Sequence, residues 1–340
     1  MMTERSTEER MRERAAEAGA DAPEVSGRGG AGSAADAGPG EVPGDAGTRS
    51  PGGCAARPDG AVCAAPAAET EPRRGRFPGV VDLLALLGVF FLALFCGGVA
   101  SVAAGGVPDG EASPERQGFV LAVSSLTTYV VALFGMLAYR RARGGRGRIA
   151  RFSARGFDPA LLLWGLVFLV ALGVVLEPLL VLLPPAPVEG IGAGSWSMLA
   201  LVVLAPLFEE LICRGLVLES LRARYGVFVA WFGSSLFFGV MHIQPQLAVN
   251  AFFVGLVLAF LYLRTDSLWV AVLLHAFNNA IAYLLLRVSG GTVFVSELTG
   301  GGAVYYAAYA VSAVVCAVSA RGVWRTLVRH TRAAKNGAGA

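Results

Sequence analysis

Two adjacent carboxylates and a guanidinium stand inside an otherwise apolar stretch, Ala205-Pro206-Leu207-Phe208-Glu209-Glu210-Leu211-Ile212-Cys213-Arg214-Gly215. On a helix Glu210 and Arg214 lie four apart on one face, acid towards the N-terminus, the ordering that favours a helical ion pair. Glu209 is turned about 100° from Glu210 and has no partner of its own on that helix. A second apolar stretch carries Phe238 and His242, again four apart, and a third carries His275 and Asn279 at the same spacing. Of the chain's three histidines, the remaining one, His330, lies in a basic C-terminal segment. An unpaired carboxylate, two imidazoles and a carboxamide can take up, hold and donate protons. Gathered in one cavity, they would support acid–base chemistry or line a proton or solute path.

The elements that must position these groups read as membrane helices. Of 340 residues, 55% are hydrophobic and only 16% charged, whereas soluble domains carry about a quarter charged residues. That excludes the two or three soluble domains the length alone would allow. The net charge of +3 is distributed as short arginine clusters between apolar runs. No continuous basic face results, which argues against a nucleic-acid partner. From Phe77 onward the apolar runs come in lengths of about 20 residues. They fall at 79–104, 118–139, 159–183, 197–221, 227–241, 247–263, 268–286 and 303–320, the fifth and sixth short for a full crossing. The expected fold is therefore all-α: a polytopic membrane helix bundle of about eight transmembrane helices over 77–320. Ahead of it, residues 1–76 hold too few large apolar side chains to offset ordering entropy, so a disordered tail is expected there. That tail is also too polar for a signal peptide, which leaves insertion to the first membrane helix. Residues 321–340 read as a basic tail. The five cysteines form no close pairs, and those in apolar runs, Cys96, Cys213 and Cys316, read as small packing residues.

Arginine sets the expected orientation. Arg73, Arg74 and Arg76 precede the first span; Arg140, Arg141, Arg143, Arg146, Arg148, Arg151 and Arg155 lie between the second and third. Arg222 and Arg224 follow the fourth, Arg264 the sixth, and Arg321, Arg325 and Arg329 the eighth. An even span count places all of these on one side, with Asp109, Glu111, Glu115, Glu189 and Glu297 opposite. Both termini are then cytoplasmic. Lys335 is the only lysine, a bias of GC-rich bacterial genomes, so the expected location is a bacterial cytoplasmic (inner) membrane.

A charge in mid-membrane costs about 2.5–3.5 kcal/mol even on the lenient insertion scale, so each one needs a reason. At 1.5 Å per residue, Glu209 lies about 20 Å below Arg222 and His242 about 22 Å beyond Val227; His275 and Asn279 lie about 16 and 22 Å beyond Arg264. The four groups come out at one level and can converge. Taken singly, each has a structural reading: Glu210–Arg214 as interhelical glue, His242 and Asn279 as hydrogen-bonded bundle residues, Phe238 as packing. Glu177, next to Pro178, reads as a kink or cavity residue. Glue, however, has no need of an unpaired glutamate level with two histidines.

Together, Glu209-Glu210-x-x-x-Arg214, Phe238-x-x-x-His242 and His275-x-x-x-Asn279 resemble the three motifs of the CPBP intramembrane proteases. That family groups type II CAAX prenyl endopeptidases with bacteriocin-processing and self-immunity proteins. The resemblance covers roughly 197–286 and implies peptide hydrolysis within the membrane. In that reading Glu209 activates water and His242 helps to hold and polarise it, while His275 and Asn279 donate to the oxyanion. Glu210, Arg214 and Phe238 are supporting residues. A catalytic zinc ion (Zn2+) on Glu209, His242 and His275 is one possibility, although no HExxH pair is present; a metal-free glutamate mechanism is the other. The implied partners are the lipid bilayer and a short peptide or membrane-tethered protein substrate. Two other functions stay open: a non-catalytic membrane scaffold or self-immunity protein, and a transporter using the same polar cavity. Internal repeat symmetry, which a transporter would favour, is not evident.

Overall fold

The computed structural model describes residues 77–337 apart from 106–111, 155–156, 189 and 292–293. The expected tail 1–76 lies outside the described residues, as do Asp109, Glu111, Arg155 and Glu189. All regular elements among the described residues are helices. They are α1 (Val80–Ala103), α2 (Pro114–Ala142), α3 (Pro159–Leu180), a continuous helical run α4 over 195–225, α5 (Val227–Met241), α6 (Pro245–Thr265), α7 (Leu268–Val288), the short α8 (Val295–Thr299) and α9 (Gly302–Gly337). Six of these, α1, α2, α3, α6, α7 and α9, are long and apolar enough to cross a bilayer. With α4 and the shorter α5 they supply the eight rods expected from hydropathy.

Local chemistry sets the helix ends. Pro159 opens α3 at the position where a missing N–H does no harm, and the Asp158 carboxylate accepts from the Ala160 N–H at 2.8 Å. Ser113 and Pro114 do the same for α2. Between α4 and α5 a single residue, Gly226 at φ 86°, reverses the chain in a backbone region closed to most side chains. Two expectations change. Helix α6 has 21 residues and is a full-length span, not a short one. The last helix runs unbroken to Gly337: past the apolar part, Val323 and Leu327, four apart on one face, stay in a core cluster with Leu161 and Leu169 of α3.

Helix α1 packs on α2, α3 on α9, and α5 on α6, while α7 lies along α4 and also touches α3 and α6. Apolar side chains point outward from this bundle: Leu84, Phe95 and Val102 of α1 are 62%, 69% and 71% exposed. Such a surface needs an apolar solvent, and with backbone polar groups bonded inside helices the fold is that of a multi-pass membrane protein.

The arginine-bearing ends meet at one end of the bundle. Arg143 pairs with Asp82 at 2.9 Å, and Arg140, buried, donates to Ser220 Oγ and to the Arg146 and Gly147 carbonyls. Arg151 reaches Asp266 at 2.8 Å, Arg222 lies 3.6 Å from Glu219, and Tyr262 donates to Glu219 at 2.7 Å. His330 of α9 meets Asp158 at 2.7 Å. Glu177, expected as a kink or cavity residue, is seen as a capping residue for another helix. Its two oxygens accept from the Val295 and Ser296 N–H groups at 2.9 and 2.7 Å, satisfying the free donors at the start of α8.

Candidate active site

Helix α4 is irregular where the two glutamates sit. Leu199–Leu204 and Leu211–Leu218 are π-helical and bracket the α-helical Ala205–Glu210. In a π turn each N–H reaches five residues back, and the Ala205 N–H does so to the Ala200 carbonyl. Pro206 comes next and has no N–H, so the Leu201 carbonyl loses the donor that would follow. Asn279 replaces it, donating Nδ2–H to the Leu201 oxygen at 3.0 Å. The carboxamide keeps a second N–H and its own oxygen for other work. Asn279→Asp, which has no N–H to give, should strip Leu201 of its donor. It is expected to lower stability by about 1–3 kcal/mol, read from thermal melts in detergent.

Behind the glutamates lies a closed ionic core. Glu210 and Arg214 are fully buried, and their side chains meet at 3.0 Å. The same Glu210 Oε1 accepts from His275 Nδ1 at 3.0 Å, joining α4 to α7. Arg214 donates to the Gly255 carbonyl of α6 at 3.1 Å, and its guanidinium lies 4.6 Å from the centre of the Phe238 ring. Phe238 touches both imidazoles edge-on, His242 at 4.8 Å and His275 at 5.5 Å between ring centres. A Cβ on residue 255 would come within 3.1 Å of the Phe238 ring and 3.3 Å of Ser235, which explains a glycine where α5 and α6 close on Arg214. Gly255→Val is expected to push Phe238 off Arg214 and cost about 1–3 kcal/mol as overpacking, measurable in the same melts.

Glu209 faces the other way and is 8% exposed. Its Oε2 lies 3.8 Å from His275 Nε2, and its Oε1 accepts from the Tyr129 hydroxyl of α2 at 2.6 Å. The glutamate that lacks a partner on its own helix thus finds one on another, and the expectation of an unpaired carboxylate is corrected. Tyr129 is the residue the sequence reading missed. Its signal was available: a phenol in an apolar run, about 16 Å along the helix from Arg140 and so near the level of the other groups.

His242 caps the C-terminus of α5, and its Nδ1 lies 2.9 Å from the Phe238 carbonyl. A carbonyl only accepts, so Nδ1 carries a proton, and in the neutral ring Nε2 holds the lone pair. Directly after it Ile243 is held at φ 57°, an uncommon conformation for a β-branched residue, as the chain turns into α6. Gln246, in the first turn of α6, ties that end to the end of α3, donating to the Leu180 carbonyl and accepting from the Ala186 N–H, both at 3.1 Å. Backbone outside a helix persists at such depth only when protein groups satisfy it.

Six of the seven residues picked out by spacing form a connected network: Glu209 and Glu210 both reach His275, Glu210 pairs with Arg214, and Phe238 touches Arg214, His275 and His242. Asn279, one turn beyond His275 on α7, is bonded instead to Leu201 of α4. As a metal centre the set fits poorly. Among the described residues no three His, Cys, Asp or Glu side chains converge on a point that could hold an ion. His275 Nδ1 is engaged by Glu210, an arrangement that orients Nε2 towards Glu209 and is compatible with either a free or a metal-bound ring.

Fold and site together define a multi-pass membrane protein in which two glutamates, an arginine and a histidine are linked among the helices. Residues 192–281, from just before α4 to within α7, match the family described as type II CAAX prenyl endopeptidase Rce1-like, and all seven residues lie inside the match. The resemblance read from the three motifs stands over that segment. The chain is similar to "Putative membrane peptidase YdiL" of Bacillus subtilis (strain 168), 29% identical over 83 residues, covering 24% of this chain and 34% of that protein. It is also similar to "Uncharacterized 24.3 kDa protein" of Escherichia coli, 36% identical over 85 residues, 23% of this chain and 39% of that protein. The matched part thus spans little more than a third of either curated relative. No solved structure matches the chain.

Proposed function

We propose that this chain is an intramembrane endopeptidase that hydrolyses a peptide bond in a short or membrane-tethered protein substrate, using water activated by Glu209. One observation carries the reading: a slightly exposed carboxylate beside His275 Nε2, held between helices that match a membrane endopeptidase family. Glu209 takes the proton from water as the oxygen attacks the scissile carbonyl carbon. His242, its Nδ1–H bonded to the Phe238 carbonyl, accepts from the same water through Nε2 and orients it. The oxyanion that forms is met by the second N–H of Asn279 and by the His275 ring, whose Nδ1 is fixed on Glu210. Glu209 then passes its proton to the departing amine, the C–N bond breaks, and an acid and an amine leave. Donors fixed in advance towards such an oxyanion are worth about 10²–10³ in rate each.

The donor geometry favours the metal-free form of this mechanism, with zinc on Glu209, His242 and His275 as the competing form. The arginine-bearing end of the bundle is proposed to face the cytoplasm of a bacterial cell. A fluorescent protein fused after Ala340 is expected to be bright there, and an exported-enzyme reporter at the same place to be inactive.

The test uses purified protein in nanodiscs and a broad pool of free and lipidated peptides, with cleavage read by mass spectrometry. Wild type is expected to cleave with or without a metal chelator, and His242→Ala to lose cleavage. Loss on chelation, restored by zinc, would replace the metal-free form by the metalloenzyme.

A further inference from the structure

Tyr129 stands outside the matched segment and outside the three motifs, on a helix that carries none of the seven residues. Its hydroxyl nonetheless donates to Glu209 Oε1 at 2.6 Å, and its ring lies flat on Phe208, with centres 5.6 Å apart and planes 6° from parallel. Phe208 is the residue immediately before Glu209 on α4. The phenol is thereby fixed at both ends, by its face on one α4 side chain and by its hydroxyl on the next. The geometry points to Tyr129 as a positioning residue for Glu209, which deepens the function proposed above and rests on it.

The physical case follows from what a carboxylate needs at this depth. With Glu210 committed to Arg214 and His275 Nδ1, nothing on α4 itself holds the Glu209 side chain. A free glutamate has three rotatable bonds, and a base that samples several rotamers spends little time in the one that faces water. The Tyr129 hydroxyl removes that freedom by taking one oxygen. The other, Oε2, remains on the His275 side at 3.8 Å from Nε2, free to receive a proton. A phenol suits this place because it donates without bringing a countercharge. An arginine here would fix the carboxylate too, but as a tight ion pair that competes with its use as a base. The titratable groups shown to interact with Glu209 are Tyr129 from α2, Cys213 from α4 and His275 from α7. Of these, Tyr129 makes the shortest contact with it.

The structure also contains a matched control. Tyr139, farther along α2, donates to the Asp82 carboxylate at 2.8 Å, a pairing of the same kind at the arginine-bearing end of the bundle.

The experiment compares Tyr129→Phe, Tyr139→Phe and wild type in nanodiscs by two readouts. The first is steady-state cleavage of a peptide taken from the pool. Tyr129→Phe is expected to lower kcat about tenfold to a hundredfold with KM within twofold, the loss typical of a hydrogen bond to a charged group. Tyr139→Phe should keep the wild-type kcat. The second readout is the infrared carboxylate stretch of Glu209, isolated as the difference from Glu209→Gln; it should shift in Tyr129→Phe and stay put in Tyr139→Phe. Phe208→Leu, which loosens the stack and keeps the hydroxyl, should change both readouts in the same direction by less, and serves if Tyr129→Phe does not fold. An unshifted band overturns the pairing whatever the activity, and a shifted band with unchanged kcat overturns the positioning role. A wild type that cleaves no peptide while its band shifts in Tyr129→Phe overturns the peptidase reading alone.

Discussion

Glu209→Gln is expected to abolish peptide cleavage, with a fall of at least about a thousandfold, and to leave the folded bundle intact. General-base catalysis contributes about 10²–10⁴ in rate, and this carboxylate is also the group that would return the proton to the leaving amine. Glutamine keeps the shape and can still meet the Tyr129 hydroxyl through its carbonyl, so packing should be spared. The variant should therefore melt within about 1 kcal/mol of wild type, the range of a single hydrogen-bond change. A parallel loss of fold and activity would instead mark Glu209 as a structural residue. Melting in detergent beside initial cleavage rates separates the two.

Arg214→Met should have the opposite profile, a large loss of stability first and of activity only as a consequence. Arg214 and Glu210 are both fully buried and meet at 3.0 Å. Removing one member of such a pair strands the other charge and typically costs about 3–5 kcal/mol. Here the stranded Glu210 would lie beside Glu209 with only His275 to neutralise it, and Phe238 would lose the cation against its ring. The double variant Glu210→Leu with Arg214→Met is expected to recover much of that stability, because an apolar pair of similar volume has no charge to desolvate. It should not recover activity, since His275 Nδ1 would then have no acceptor to fix the ring. Chemical unfolding of the single and double variants checks the first part, and cleavage rates check the second.

The sequence shows some of this architecture plainly and hides the rest for physical reasons. Spacing of four on a helix put Glu210 with Arg214, and the structure has them in contact. Hydropathy placed the 227–241 span at the bounds found for Val227–Met241, since Gly226 on one side and the polar His242 on the other mark the ends. The π turns of α4 were not legible. A helical wheel assumes 3.6 residues per turn, and the extra residue shows only in the backbone, although Pro206 before two buried acids was a sign of irregularity. Tyr129 was hidden because its partner is eighty residues away in sequence and the contact depends on how α2 packs against α4. The partners of Glu177 were hidden for the same reason: the donors it satisfies are on α8, a helix too short for hydropathy to reveal.

The central claim is that water, activated by Glu209, is the nucleophile. Its most direct test is cleavage by folded wild type and folded Glu209→Gln in water enriched in heavy oxygen, with chelator present throughout and products weighed by mass spectrometry. Wild type is expected to place one heavy oxygen in each new carboxyl group, and Glu209→Gln to give no product above background. Labelled product formed by Glu209→Gln at the wild-type rate would contradict it.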